Sequence, residues 1–150
     1  MRTVRKCPSL TCALLGLLFC AANLVQAAEF RSQPAPKDAE AYIISPADGE
    51  TVPENFTVQF GLRNFGIAPA GEGNEKTGHH HLLIDFEGIP ALDTPLPATD
   101  NIRHFGGGQT ETTLSLSPGK HTLQLVLGDK LHIPHNPPIM SKKITITVKE

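Results

Sequence analysis

Residues 112–127, TTLSLSPGKHTLQLVL, decide the fold class, because apolar and polar side chains alternate on both sides of a turn signal. Leucine at every second position is typical of a β-strand that buries one face, since successive side chains of a strand point to opposite sides. The central Ser117-Pro118-Gly119-Lys120 contains the proline and glycine that favour a tight turn. The pattern therefore predicts a β-hairpin.

Similar short runs flank this hairpin, and segments rich in Pro, Gly, Asn and Asp separate them. Residues 41–45 predict a first strand, and alternation over residues 56–62 and 144–148 predicts two more. Residues 80–86 have apolar side chains at both odd and even positions, which predicts a central strand covered on both faces. No segment of useful length has a helical period. These features predict an all-β fold, an immunoglobulin-like antiparallel β-sandwich of about seven strands.

The N-terminal part of the chain predicts an exported protein. Three basic residues in the first six precede a short apolar stretch that ends in Val25-Gln26-Ala27. This arrangement is typical of a secretory signal peptide, and the apolar stretch is short for a membrane span. We therefore expect a signal peptide at 1–27, a flexible, proline-containing leader at 28–40 and the sandwich domain at 41–150. The expected location is periplasmic or secreted.

Removal of the predicted signal peptide changes the chemistry of the chain. All three cysteines lie in it, so the mature protein has neither a disulfide nor a thiolate ligand. Three of the 13 basic residues and none of the 15 acidic residues are lost, which leaves a formal net charge of −5. Such a domain is a poor partner for nucleic acid, because phosphate binding needs a basic face. We also expect no membrane association after cleavage.

The most distinctive residues are the histidines, all seven of which lie in the predicted mature chain. In a strand, the first and third members of the run at 79–81 point to one face and the second to the other. A His-x-His pair on one face is a two-point metal ligand, and the motif HIPH at 132–135 can supply a second pair. The candidate metal ligands are His79, His80, His81, His104, His132 and His135.

Each of these histidines also has a structural interpretation, and for His104 it is that the glycines at 106–108 form only a flexible turn. The run at 79–81 can be a strand entrance with one hydrogen-bonded histidine, and the motif HIPH can be a surface turn shaped by prolines. His121 shares parity with the leucines that follow it and is interpreted as a hydrogen-bonded structural residue. Met140 is interpreted as core packing rather than as a soft copper ligand. Asp85, Asp100 and Asp129 are candidates for orienting imidazoles, and Asp129 also fits a turn.

Residues 42–148 resemble a bacterial family of small exported proteins classed as a domain of unknown function. Four segments carry the resemblance: SPADG at 45–49, GHHHLLID at 78–85, HFGGGQT at 104–110 and GDKLHIPHNPP at 128–138. The resemblance implies an immunoglobulin-like fold in the periplasm. It implies no activity, so any function has to be argued from the residues.

Two classes of function follow from the sequence. The first is an exported protein that binds copper or zinc through its histidines, with binding that weakens as acid protonates them. The second is a metal-free module that binds an envelope protein or polymer, or has a structural role there. We do not expect an enzyme, because the chain lacks the Gly-x-Ser-x-Gly elbow and the His-Glu-x-x-His motif. The expected partners are therefore a metal ion and, in the second class, an envelope protein.

Overall fold

The computed structural model describes residues 31–150, and within them the chain forms nine β-strands and no helix. The predicted signal peptide and the first residues of the predicted leader lie outside this range. In chain order the strands are β1 (Glu40–Ser45), β2 (Thr51–Pro53), β3 (Asn55–Arg63), β4 (Gly66–Ile67), β5 (Thr77–Ile84), β6 (Ile102–His104), β7 (Glu111–Ser115), β8 (Gly119–Gly128) and β9 (Ile144–Lys149).

The strands form two sheets that pack face to face, as predicted for a β-sandwich. The first sheet has the order β1-β3-β7 and is antiparallel throughout. The second has the order β2-β9-β8-β5-β4, and β6 also pairs with β5. Six strands have five or more residues, close to the predicted number, and β2, β4 and β6 are shorter additions to the second sheet. The pairs β2–β9 and β4–β5 are parallel, so the sandwich is not antiparallel at every pair.

The main core lies between the two sheets and is built by the alternating positions that the sequence predicts. Phe56, Val58 and Phe60 of β3 face Leu123, Leu125 and Leu127 of β8, and all six side chains are buried. Burial of each such side chain contributes about 1.5–3 kcal/mol. The inner faces of the two sheets therefore supply most of the hydrophobic stabilisation.

Strand β5 is covered on both faces, as its apolar side chains at both odd and even positions predict. Leu82 and Ile84 point into the main core. Leu83 points to the opposite side, where a second cluster with Leu96, Ile102 and Val126 covers the outer face of the sheet. This outer layer comes largely from the connection between β5 and β6. It places the odd-numbered side chains of β5 under loops rather than in solvent.

The predicted hairpin at residues 112–127 is wrong. Strand β7 pairs with β3 in the first sheet, whereas β8 pairs with β5 and β9 in the second. The turn between β7 and β8 therefore carries the chain from one sheet to the other. Alternation fixes which face of a strand is buried but not which strand lies beside it. Leu114 and Leu125 consequently meet the same core from opposite sheets.

Residues 31–39, part of the predicted flexible leader, lie against the connection between β8 and β9. The amide of Ala35 donates to the carbonyl of Asn136 (3.2 Å), and the amide of Asn136 donates to the carbonyl of Gln33 (2.9 Å). Ser32 Oγ donates to the carbonyl of Leu92 (2.9 Å). The segment before β1 thus contacts the loop that carries the HIPH motif.

His121 has a structural role at the start of β8. Its Nδ1 lies 2.6 Å from Asp85 Oδ2, and its Nε2 lies 2.9 Å from the carbonyl oxygen of Ser117. Burial lowers the pKa of His121, but the hydrogen bonds to Asp85 and Ser117 outweigh that effect and raise it above its ordinary value. His121 thus has the hydrogen-bonded role that its strand parity indicates.

The raised pKa of His121 predicts a pH-dependent contribution to stability. A raised folded-state pKa stabilises the fold fully below about pH 6.5, the ordinary histidine value, and the contribution disappears as the pH rises through the folded-state value. His121→Gln should therefore lower the free energy of unfolding more at pH 5.5 than at pH 8.5. Urea unfolding of the wild type and the variant in chelator checks this. An equal loss at both pH values would contradict it.

Candidate metal centre

Strand pairing places three histidines on the outer face of the second sheet. His79 and His81 lie two residues apart in β5 and share that face, as their spacing predicts. His104, the last residue of β6, is the direct cross-strand partner of His81. Side chains of directly opposed residues project to the same side of a sheet. The pairing of β6 with β5 therefore adds a third imidazole to the pair that the His-x-His motif provides.

A fourth histidine reaches the same face from the loop after β8. His132 has φ = 68°, in the left-handed region that few residues other than glycine occupy. Its carbonyl oxygen accepts a hydrogen bond from the amide of Leu96 (2.8 Å), which fastens this loop to the outer layer. Its ring centroid lies 4.7 Å from that of His104, 4.9 Å from that of His79 and 6.0 Å from that of His81.

Three of the four imidazoles are close enough to hold one ion. One ring nitrogen from each of His79, His81 and His104 forms a set in which all nitrogens lie within 4.8 Å of one another. Two nitrogens bound to one ion at about 2.1 Å are separated by at most about 4.2 Å. Small rotations of the side chains therefore suffice to bring these three nitrogens into coordination, and the ring of His132 packs against the rings of His79 and His104. We call His79, His81, His104 and His132 the histidine cluster.

The inner half of the cluster is buried and the outer half is open to solvent. His79 and His81 are fully buried, whereas His132 is partly exposed and His104 is exposed. Among the described residues, no ring nitrogen of His79 or His81 has a hydrogen-bond partner. Buried polar atoms in native proteins normally have partners, and exceptions call for an explanation. A ligand that enters from the solvent side would provide the missing partner.

Burial also keeps the inner imidazoles neutral. Burial and then the neighbouring histidines lower the pKa of His79 to about 4 and that of His81 to about 2. The pKa of His104 is lowered for the same two reasons, with burial as the larger. Since only the neutral imidazole has a free lone pair, these residues are in the metal-binding form at pH 7.

Two glycines make room for the cluster. Gly128 is the cross-strand partner of His79, and a Cβ added there would lie 2.9 Å from Cε1 of His81 and 3.2 Å from Cα of His132. A Cβ added at Gly106 would overlap the ring of His104. The contacts with the rings of His81 and His104 are closer than real Cβ atoms tolerate. The absence of side chains at these positions therefore permits the imidazoles to approach one another.

The other two candidate ligands from the sequence do not join the cluster. His80 points into the main core, where its ring centroid lies 5.2 Å from that of Phe60. His135 packs against Phe65, with ring centroids 4.9 Å apart. Both are buried, and their ring nitrogens also lack partners among the described residues. Burial alone therefore does not distinguish the cluster, whereas the proximity of its four rings does.

The other residues considered from the sequence lie outside the cluster. Asp85 contacts His121, and Met140 packs against the outer apolar layer. Asp129 forms hydrogen bonds within the loop that carries His132, which agrees with its predicted place in a turn. Strand β6 has no counterpart among the predicted strands, since a run of three residues inside a long connection has no detectable period.

Comparison with known proteins gives one match. The family model described as "Domain of unknown function (DUF4399)" matches residues 58–149. This range includes most of β3 and all of β4 to β9. This agrees with the resemblance drawn from the motifs. No curated protein and no solved structure matches the chain.

Proposed function

The chain belongs to the DUF4399 family, whose function is unknown, and we propose that it is an exported protein that binds one copper or zinc ion through His79, His81, His104 and His132. The convergence of these four imidazoles on the outer face of the second sheet carries the proposal. Neutral imidazole suits both copper and zinc, and the described residues place no thiolate beside the cluster. Export is supported by the pattern of basic and apolar residues before residue 28.

The left-handed backbone at His132 supports a functional role for this residue. A non-glycine residue held in this region costs of the order of 1–3 kcal/mol and persists where the surrounding structure imposes it. Here the amides of Leu131 and Ile133, on either side of His132, donate to Asp129 Oδ1, and the His132 ring packs against the rings of His79 and His104. Strain that brings a ligand to a site is the pattern expected of a binding protein.

We propose binding rather than catalysis. Four imidazoles can fill the coordination sphere of a tetrahedral or square-planar ion, and catalytic zinc sites instead keep one position open for water or substrate. Within residues 31–150, the group of neighbouring ligand atoms contains histidines and no carboxylate to act as a general base. Asp129, three residues before His132 in the sequence, uses Oδ1 for hydrogen bonds to its own loop. The two solvent-facing histidines suit reversible uptake of an ion from solution.

The test is a metal titration of residues 28–150, made without a histidine tag and treated with chelator. Calorimetry at pH 7.5 with Cu(II), Cu(I) and Zn(II) should give one site of submicromolar affinity for at least one of these ions. Affinity should persist at pH 5.5 and fall at more acidic pH, because the buried imidazoles have a pKa of about 4 or below. Binding no tighter than that of a surface histidine pair would contradict the proposal and favour the metal-free envelope module.

A further inference from the structure

The loop that brings His132 to the cluster is organised by one buried carboxylate. Asp129 follows the last residue of β8 and is 2% exposed. Its Oδ1 accepts hydrogen bonds from the amides of Leu131 (2.8 Å) and Ile133 (3.0 Å). These two amides belong to the residues on either side of His132. The carboxylate therefore holds the chain on both sides of the fourth imidazole.

The backbone of Asp129 closes the same loop. Its amide donates to the carbonyl of Ile133 (2.8 Å), and its carbonyl accepts from the amide of His132 (2.9 Å). Residues 129–133 are thus crossed by four hydrogen bonds that all involve Asp129. Hydrogen bonds between a side chain and backbone amides a few residues away stabilise turns and left-handed backbone conformations. The regular hydrogen-bond ladder of a sheet does not stabilise such conformations. His132 adopts its positive φ inside this loop.

We infer that Asp129 is the positioning residue for His132, so that loss of the Oδ1 acceptor removes the fourth ligand although Asp129 itself touches no metal. The inference rests on the proposed function, since it concerns the geometry of the same site. His79, His81 and His104 are held by strands β5 and β6 and do not depend on this loop. Their three-nitrogen set therefore remains when the loop is released.

The inference makes Asp129 and His132 act as one unit. Asp129→Ala removes the acceptor of both amides, whereas Asp129→Asn keeps an oxygen that can accept them. Lys130→Ala is a matched control, because Lys130 lies in the same loop with an exposed side chain. Changes to outer partners of metal ligands commonly reduce affinity about 10–100-fold. We expect a loss of this size for Asp129→Ala and for His132→Ala, and much smaller changes for Asp129→Asn and Lys130→Ala.

The experiment uses residues 28–150 and Cu(II), with affinity from calorimetry and the number of imidazole ligands from pulsed paramagnetic resonance. We expect four imidazoles in the wild type and in Asp129→Asn, and three in Asp129→Ala and in His132→Ala. The double variant should bind no more weakly than His132→Ala alone, because a positioning residue has no effect once its ligand is absent. Circular dichroism confirms that each variant is folded.

Several outcomes separate the inference from the proposed function. Four imidazoles and wild-type affinity in Asp129→Ala would overturn the inference alone, as would additive losses in the double variant. A His132→Ala variant with unchanged affinity and ligand number would also overturn it, since the cluster would then bind through three histidines. A wild-type protein that binds none of Cu(II), Cu(I) and Zn(II) would overturn the proposed function and the inference with it; where only Zn(II) or Cu(I) binds, the affinities of the variants for that ion decide the inference.

Discussion

Simultaneous replacement of His79 and His81 by alanine should abolish stoichiometric metal binding. The two side chains form the buried half of the histidine cluster, and they are held by strand β5 rather than by a loop. The remaining His104 and His132 lie on the solvent side and would bind an ion no better than a surface pair. Loss of an outer partner alone costs about 10–100-fold in affinity, so loss of two direct ligands should exceed about 100-fold.

The matched control is the variant His80→Ala/His135→Ala. It also removes two buried histidines whose ring nitrogens lack partners among the described residues, but neither belongs to the cluster. We expect one bound ion per chain and an affinity within about tenfold of the wild type, a difference of about 1.4 kcal/mol. Calorimetric titration of both double variants provides the comparison. Equal losses in the two variants would show that the cluster is not the site.

This pair of variants also measures how far sequence patterns identify the site. The alternation of side chains in a strand places His79 and His81 on one face and His80 on the other, and the structure confirms that separation. Parity does not reveal which face carries the site, however, because β5 is covered on both sides. The outer face is selected by His104 and His132, which come from other parts of the chain.

His132 and His135 show what local patterns cannot supply. Their spacing in HIPH suggests one shared pair, yet the left-handed backbone of His132 directs its ring to the cluster while His135 packs against Phe65. The loop of His132 is also tied to Leu96, a residue far away in the sequence, by a hydrogen bond from the Leu96 amide to the His132 carbonyl. Asp129 is the available local signal, because an aspartate in this position commonly fixes the amides that follow it.

The fold, like the site, is only partly predictable from local sequence patterns. Alternating leucines in β7 and β8 predict two strands that contribute to one core, and this is confirmed. The proline and glycine between them predict a turn but not whether the chain stays in one sheet. That choice depends on strands β3 and β5, which occupy the neighbouring positions. Long-range pairing thus determines both the topology of the sandwich and the position of His104 beside His81.

Replacement of His81 by leucine should weaken metal binding and stabilise the metal-free protein. In the metal-free protein His81 is fully buried, its pKa is lowered to about 2, and neither ring nitrogen has a partner among the described residues. Burial of an unpaired polar group costs about 1–3 kcal/mol, and an apolar side chain of similar size avoids that cost. In chelator, His81→Leu should therefore have a higher free energy of unfolding than the wild type, by about 1–3 kcal/mol.

Metal should reverse this order. A ligand that binds only the folded state adds about 4 kcal/mol at a free concentration of 1,000 times its dissociation constant, so the wild type should become the more stable protein once metal is added.

His80→Leu is the control, because His80 is equally buried in the same strand but faces the main core. Metal should stabilise the His80→Leu variant as much as it stabilises the wild type. Urea unfolding with chelator and with metal measures all three proteins. A His81→Leu variant that metal stabilises as much as the wild type would exclude His81 as a ligand, and one that is less stable than the wild type in chelator would show that the imidazole has a structural partner.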